Sequence, residues 1–331
     1  MELTTEMQHL KLNDINNASL FYNNRYEGDY MDEWPTRKKR RVYELLLELG
    51  LPEEGVALDF GCGTGVFTSV IKQALPRWQV CGTDLSPVAL EKAKAKNLNC
   101  DFFTVDNCTL NSFKFDFIFS HHVLEHVLNI DETWIKLLQL SKPGTKMLHI
   151  CPCGNEGSFE HHICSLRKDG LRQHPQNTFF YEDKGHLRKL DTQQMRVLAA
   201  KYGFDICLEY YAWHYYEAIE GITGEGYHYV RYLTDPTQAA NDAARNKLQV
   251  LRKHLQTIAI LRTPTAIIDK QQQKPGKSWK DYVVINILKP LTVISWLTSL
   301  ILKFLADNEW HQRRKDPKGA EMYFLFKLPE R

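Results

Sequence analysis

The sequence predicts an α/β fold: a mostly parallel sheet of seven strands with helices on both faces. Three observations carry this. From about residue 56, short β-rich runs alternate with helical periodicity, the pattern of a parallel sheet covered by helices. The first run passes through a glycine-rich turn directly into a helix. The last run, Met322-Tyr323-Phe324-Leu325-Phe326, comes more than a hundred residues after the sixth, so a large helical insertion is expected before it.

Each element has its own signal. Val56-Ala57-Leu58-Asp59-Phe60 reads as the first strand, and Val66, Phe67, Val70 and Ile71 line the helix behind it. Gln79 to Asp84 is the second strand. Ser86 then caps a helix whose first turn accepts Pro87, because the missing N–H costs nothing there. Cys100 to Val105 and Phe115 to Ser120 are strands three and four, and Lys146 to Cys151 is strand five, after the turn Lys142-Pro143-Gly144. Asp191-Thr192-Gln193-Gln194 resembles a capping box; Met195, Leu198, Ala199 and Tyr202 line one face, and Gly203 stops that helix. Phe204, Ile206, Leu208 and Tyr210 alternate as strand six.

The insertion, 213–318, carries helical periodicity at Leu248, Leu251, Leu255 and Ile258, then a polar break at Gln271-Gln272-Gln273-Lys274-Pro275-Gly276. Beyond the break, Leu291 to Leu302 is apolar but closed by Lys289-Pro290 and Lys303. A spanning helix needs about 20 apolar residues, so this run is not expected to span. A buried helix or a homodimer contact is the plain reading, and a peripheral helix resting on a membrane the sharper one. The expected parts are a helical cap at 1–55, a core at 56–151, a lid at 152–190, core helix and strand at 191–212, the insertion, and the last core strand at 319–331.

Composition bounds the function. The chain has 331 residues, 43% apolar and 25% charged, which excludes disordered, collagenous and disulfide-stapled classes. A formal charge of +2 gives no global reason to bind nucleic acid. The eight scattered cysteines suit thiols in a reducing compartment, and Met1 to Glu6 lacks a basic start or apolar run, so a cytoplasmic protein is expected.

The chemistry concentrates at Leu58-Asp59-Phe60-Gly61-Cys62-Gly63-Thr64-Gly65. Glycines remove the Cβ atoms that would keep backbone from a ligand, and the helix start offers N–H groups. A dinucleotide fingerprint wants G-x-G-x-x-G, but the third position is Val66, which weakens a nicotinamide reading. Asp84 closes strand two, where an acid can accept hydrogen bonds from both ribose hydroxyls. A nucleoside is the natural ligand; a merely tight strand-to-helix turn is the bland alternative.

Asp59 to Gly65, Gly82-Thr83-Asp84-Leu85-Ser86-Pro87, Phe115 to Ser120 running into Val123-Leu124-Glu125-His126-Val127, and Leu140-Ser141-Lys142-Pro143-Gly144 resemble the ordered motifs of class I S-adenosylmethionine-dependent methyltransferases. The wording is most similar to the small-molecule branch that includes ubiquinone-pathway O-methyltransferases. The resemblance covers about residues 40 to 212 plus the last strand, and implies a Rossmann-like sheet with an antiparallel last strand. It also implies S-adenosyl-L-methionine as cofactor, with Gly61, Cys62, Gly63 and Gly65 around its methionine part, Asp59 organising that pocket, and Asp84 and Leu85 at the ribose. Asp106 and Asn107 match the adenine edge, with an ordinary Asx turn as the alternative. Ser120 and His121 match the approach to the methyl group, and a tyrosine of the cap, Tyr22, is expected to close the pocket; a plain packing stripe of Tyr22, Tyr26 and Tyr30 is the alternative.

A sulfonium carbon is already activated, so only the acceptor needs a titrating side chain, and an alcohol or phenol benefits from a histidine base. His122 and His162 are the favoured candidates, with His121 beside them; His126 reads as structural. Residues 152–190 form a long connection rich in Phe159, His161, His162, Phe179, Phe180, Tyr181, His186 and Arg188, the composition of an acceptor lid. Cys151, Cys153, His161, His162 and Cys164 lack a familiar zinc spacing, so no metal is expected. Arg37-Lys38-Lys39-Arg40-Arg41 reads as a solvated helix face, or else as a contact for a phosphate-bearing acceptor.

The function expected is methyl transfer to an oxygen of a small molecule, sugar or lipid-linked intermediate. Transfer to an amine or carboxylate of a natural product or peptide is the alternative. Less favoured are an RNA methyltransferase and a scaffold that binds the cofactor without using it.

Overall fold

The structure, a computed structural model, describes residues 15–28, 30–96, 98–170, 185–273, 276 and 278–330. Helices α1 (Ile15–Tyr26) and α2 (Thr36–Glu48) precede the alternation β1 (Val56–Phe60), α3 (Val66–Ala74), β2 (Gln79–Asp84), α4 (Pro87–Ala95), β3 (Asp101–Thr104), β4 (Phe115–His121), α5 (Ile130–Leu140) and β5 (Ser141–Pro152). Then come α6 (Phe159–Ser165), α7 (Thr192–Tyr202), β6 (Asp205–Ala212), α8 (Tyr216–Gly224), α9 (Tyr227–Leu233), α10 (Asp242–Gln273), α11 (Trp279–Leu288), α12 (Thr292–Arg313) and β7 (Glu321–Lys327).

Seven strands form one sheet in the order β3-β2-β1-β4-β5-β7-β6. The pairs β1/β2, β1/β4, β2/β3 and β4/β5 are parallel, as consecutive strand–helix–strand units require. β7 runs antiparallel to β5: the Leu328 amide donates to the Thr145 carbonyl at 2.9 Å, while at the far end the Cys153 amide donates to the Ala320 carbonyl at 2.7 Å. The result is a mostly parallel, Rossmann-like sheet with an antiparallel last strand, as expected.

The local signals act as read. Ser86 Oγ accepts from the Ala89 amide at 3.2 Å, with Pro87 in the first turn. Asp191 and Gln194 complete both halves of a capping box, and Gly203 ends α7 in the left-handed region at φ +74°. The fifth strand starts earlier than expected, at Ser141, and carries its turn residues within it, Gly144 at φ +82°.

The chain divides into two compact units. The first comprises Met1–Pro152, Lys184–Glu209 and Tyr323–Arg331; the second comprises Cys153–Asp183 and Tyr210–Met322. In the first, Trp134 is fully buried against Phe326 at 5.2 Å and Tyr202 at 5.9 Å between ring centres. Aromatic residues here supply large buried area per residue. The second unit has its own core, in which Ile163, Ile219, Ile222, Val230, Leu233, Leu255 and Leu302 come together from α6, α8, α9, α10 and α12.

Two expectations are corrected. The basic run is not a uniformly solvated face: Lys38 lies over the Trp34 ring at 4.6 Å, and buried Arg41 donates to the Tyr323 hydroxyl at 3.3 Å. Long basic side chains bury their stems where an aromatic or a hydroxyl receives the head. The apolar run after the polar break is not buried either. Trp279, Ile287, Val293, Trp296 and Phe304 are each at least 60% exposed. The helical stretch Trp279–Arg313 is by length and composition apolar enough to cross a membrane, where the twelve-residue run alone is not.

Candidate cofactor and acceptor site

A cavity of about 660 Å³ opens beside the carboxyl ends of β1, β2 and β4, where an open α/β sheet binds ligands. Its lining comes entirely from the first unit. β1 delivers the chain into Gly61, Gly63 and Gly65, at φ +76°, +53° and +79°, conformations in which a Cβ is strained. The turn is pinned to the neighbouring strand because the Gly61 and Cys62 amides both donate to the Thr83 carbonyl, at 2.7 and 2.8 Å. A Cβ on Gly63 would stand 2.8 Å from the Tyr26 hydroxyl, and one on Gly61 would stand 2.3 Å from Val123 Cγ2. The bare backbone is therefore needed for the cradle to close.

Two acids sit in this cradle. Asp84 Oδ2 accepts from the Gly63 amide and Oδ1 from the Ser86 amide, both at 2.8 Å. Burial raises its pKa, and those backbone donors oppose the rise. Asp59 is deeper, 1% exposed, and Oδ2 accepts from Thr68 Oγ1 at 2.6 Å. Burial pushes its carboxyl up to about 7, with the Thr68 hydroxyl opposing and the Asp84 charge adding. Burial and the Asp84 charge also hold the Tyr26 phenol well above its ordinary value. Buried carboxyls of this kind can be compensated by a ligand bearing cations or hydroxyls.

The walls are aromatic. Tyr22, Tyr26, Tyr30 and Trp34 line the cavity, so the cap stripe faces it rather than only packing on itself. His121, at the end of β4, stands against Phe67 at 4.2 Å and Trp34 at 4.5 Å between ring centres. His122 follows in the left-handed region at φ +54°, unusual for a side chain with a Cβ, and its Nδ1 lies 3.5 Å from Glu125 Oε1.

Of the residues singled out in the sequence, Asp59, Gly61, Cys62, Gly63, Asp84, Leu85, Tyr22, His121 and His122 share this lining. Gly65 starts α3 just behind it. Ser120 is buried with its hydroxyl 2.7 Å from His149 Nδ1, and Asn107 caps a short 3-10 turn by accepting from the Thr109 amide. Asp106 sits next to Val105, which is in the lining. His162 belongs to the second unit, on α6, where burial lowers its pKa. Phe179, Phe180 and Tyr181 of the expected lid lie outside the described residues. The sequence reading missed Tyr26, Trp34 and Val123, which are brought to the site by α1, the turn before α2 and the turn after β4. Only the four-residue tyrosine spacing hinted at the first.

The cradle fits the nucleoside sulfonium that the motifs suggest: glycine positions with no room for a Cβ, two buried carboxyls, and an aromatic wall for a flat ring. A family model described as a methyltransferase domain matches residues 31–209, over half of the chain. Trans-aconitate 2-methyltransferase of Methylobacterium radiotolerans is 32% identical over 108 residues, 32% of this chain and 42% of that protein. Ribosomal RNA small subunit methyltransferase C of Shewanella sediminis is 33% identical over 100 residues, 28% of this chain and 29% of that protein. The chain thus spans less than half the length of these curated relatives. Among solved structures, phosphoethanolamine N-methyltransferase 2 of Haemonchus contortus aligns at 16% identity and TM-score 0.48, covering 99% of this chain and 60% of that one.

Proposed function

The chain belongs to the class I S-adenosyl-L-methionine-dependent methyltransferases, the family matched over residues 31–209, and from that premise we propose that it methylates an oxygen of a small molecule, sugar or lipid-linked intermediate. The observation that carries this is the joint placement of the Gly61–Gly65 cradle, Asp84 and two histidines around one cavity. When bound, the cofactor supplies a methyl carbon already activated by its sulfonium. The chain's own residues do the rest. Gly61, Cys62, Gly63 and Gly65 would hold the methionine part with Asp59 behind them, and Asp84 with Leu85 the ribose. Asp106 and Asn107 would meet the adenine edge, Ser120 and His121 the region of the methyl group. Tyr22, Tyr26 and Trp34 cover the cavity and exclude water.

His121 or His122 takes the acceptor's proton as its oxygen attacks; His162, on the second unit, does not line this cavity and is given no part in the step. The histidines His121 and His122 on the cavity wall support an acceptor that needs a base, as an alcohol or phenol oxygen does. The exposed helices α11 and α12 support a lipid-linked one, and with it a cytoplasmic protein that rests on a membrane surface through 291–302.

A carboxylate acceptor is the second reading, favoured by the relative named for trans-aconitate. It would need no base. Purified protein, methyl-labelled cofactor and fractionated extract, followed by mass spectrometry of products, decide between them. The oxygen reading expects a base-stable methyl ether whose formation drops about 100-fold or more when one of the two, His121 or His122, is replaced, within the usual range for a general base. A base-labile ester formed at undiminished rate by those variants would give the carboxylate reading, and no labelled product would remove both.

A further inference from the structure

Glu125 occupies an unusual position for a charged residue. It is 2% exposed, and among the described residues neither carboxylate oxygen has a hydrogen-bond partner. Three imidazole nitrogens surround Oε1 instead: His122 Nδ1 at 3.5 Å, His186 Nε2 at 3.9 Å and His126 Nε2 at 4.0 Å. The chain is built to bring them there. The Glu125 carbonyl accepts from the Leu187 and Arg188 amides at 2.8 and 3.3 Å, which ties the segment carrying His186 to the turn after β4. The His126 and His186 rings then lie 4.6 Å apart.

A buried carboxylate needs a compensating charge with good geometry, and the nearby Arg188 guanidinium, although it feels the Glu125 charge, gives its hydrogen bonds to the Leu124, Val127 and Leu128 carbonyls instead. Two imidazoles and one carboxylate form the ligand set of an open zinc site, with metal–ligand distances of about 2.0–2.2 Å and the fourth position left for water or substrate. The donor atoms of Glu125, His126 and His186 lie within 4.8 Å of one another, so small side-chain rotations close them onto one ion. We propose that Glu125, His126 and His186 bind a divalent transition cation of the zinc type. His122, beside the same oxygen, orients the carboxylate, as residues around metal ligands commonly do.

His126 also lines the cavity, together with His121, His122 and Tyr22. The open coordination position is therefore next to the acceptor. A cation there would bind an acceptor oxygen and lower its pKa, which deepens the oxygen-methylation reading and rests on it. The binding claim does not. Sequence gave no zinc signal here because His186 lies sixty residues from His126 and only the fold closes the gap.

The test uses full-length protein stripped with a chelator. Titration with zinc chloride by calorimetry should show one equivalent bound, and cobalt substitution should give visible ligand-field bands without a near-ultraviolet thiolate band. Glu125→Gln and His186→Ala should each weaken zinc binding by about 10-fold or more, on the scale of lost metal-site groups. Circular dichroism and cofactor calorimetry serve as folding controls, because neither residue lines the cradle. No zinc binding at millimolar metal, a thiolate band, or equal affinity in both variants would overturn the metal site. A protein that binds zinc through these residues but not the cofactor would overturn the methyltransferase reading and leave the metal site standing.

Discussion

The amide of Gly63 donates to Oδ2 of Asp84 at 2.8 Å, so the glycine turn after β1 and the acid that ends β2 are one hydrogen-bonded unit. With Ser86 donating to the other oxygen, the carboxylate is fixed before any ligand arrives. Asparagine at 84 offers one acceptor and one NH2, so one of the two amides must lose its partner. A buried unsatisfied donor costs about 1–3 kcal/mol. Asp84→Asn is expected to raise the Kd for S-adenosyl-L-methionine by about 10-fold or more and to lower Tm. A Kd within about two-fold of native by calorimetry would take Asp84 out of the cofactor site.

The same turn leaves Gly63 no room. Gly63→Ala combines a left-handed φ with a clash against the Tyr26 hydroxyl, and is expected to weaken cofactor binding by about 10-fold, a loss of about 1.4 kcal/mol. Removing that hydroxyl in the Gly63→Ala, Tyr26→Phe double variant should restore part of the affinity. If the double variant binds no better than the single one, Tyr26 is not the obstacle.

Burial puts the Asp59 carboxyl at about 7, so near neutral pH it is shared between its two forms. A cationic cofactor favours the carboxylate, and the proton must leave for the complex to form. Affinity is therefore expected to rise as pH goes from about 6 to about 8, and more steeply than in Asp59→Asn. The comparison matters because the cofactor's own amino group titrates near 7.7–8.0. Identical pH slopes for the two proteins would show that Asp59 does not couple to binding.

His149 is held down to about 3 by burial, against about 6.5 in an unfolded chain. Between those values the unfolded chain takes up a proton that the folded chain refuses. Its contribution is therefore intact above about pH 6.5 and is lost on acidification, by up to about 1.4 kcal/mol per pH unit. Urea unfolding at successive pH values should show a shallower acid loss for His149→Gln, which leaves the Ser120 hydroxyl a partner but cannot titrate. An unchanged acid limb would place the loss elsewhere.

The exposed face of α11 and α12 carries Trp279, Tyr282 and Trp296 with Lys280, Lys289 and Lys303, against the single acid Asp281 up to Lys303. Aromatic residues and lysines flanking an apolar face suit a lipid–water boundary with anionic headgroups. Co-sedimentation should be stronger with phosphatidylglycerol vesicles than with phosphatidylcholine, and Trp296→Glu with Phe304→Glu should abolish it. A protein that ignores vesicles but halves its mass in light scattering on those substitutions would assign the face to a second copy.

The strands and the glycine turn were legible because their causes are local. β-branched and aromatic runs, a proline after a serine cap and an acid at a strand end all act within a few residues. The boundaries of β1 and β2 agree with the sequence reading to the residue. β5 did not: the turn at Lys142-Pro143-Gly144 forms, but as an irregularity inside the strand, where the register against β4 shifts between the Phe115/Ser141 and Phe117/Lys146 pairs. The apolar run near 291–302 misled for a related reason: hydrophobicity records a preference for burial, but not what covers the face.

The sequence by itself determined the fold class and the cradle, because three glycines and two aspartates at fixed spacing leave one way for a strand to enter a helix over a ligand. Only the tertiary structure decided that Tyr26 and Trp34 close that cradle, that Lys38 and Arg41 are spent on packing, and that Glu125 stands among three histidines. Those relationships join residues up to 282 positions apart, as between Arg41 and Tyr323, and no local preference encodes a distance that only packing sets.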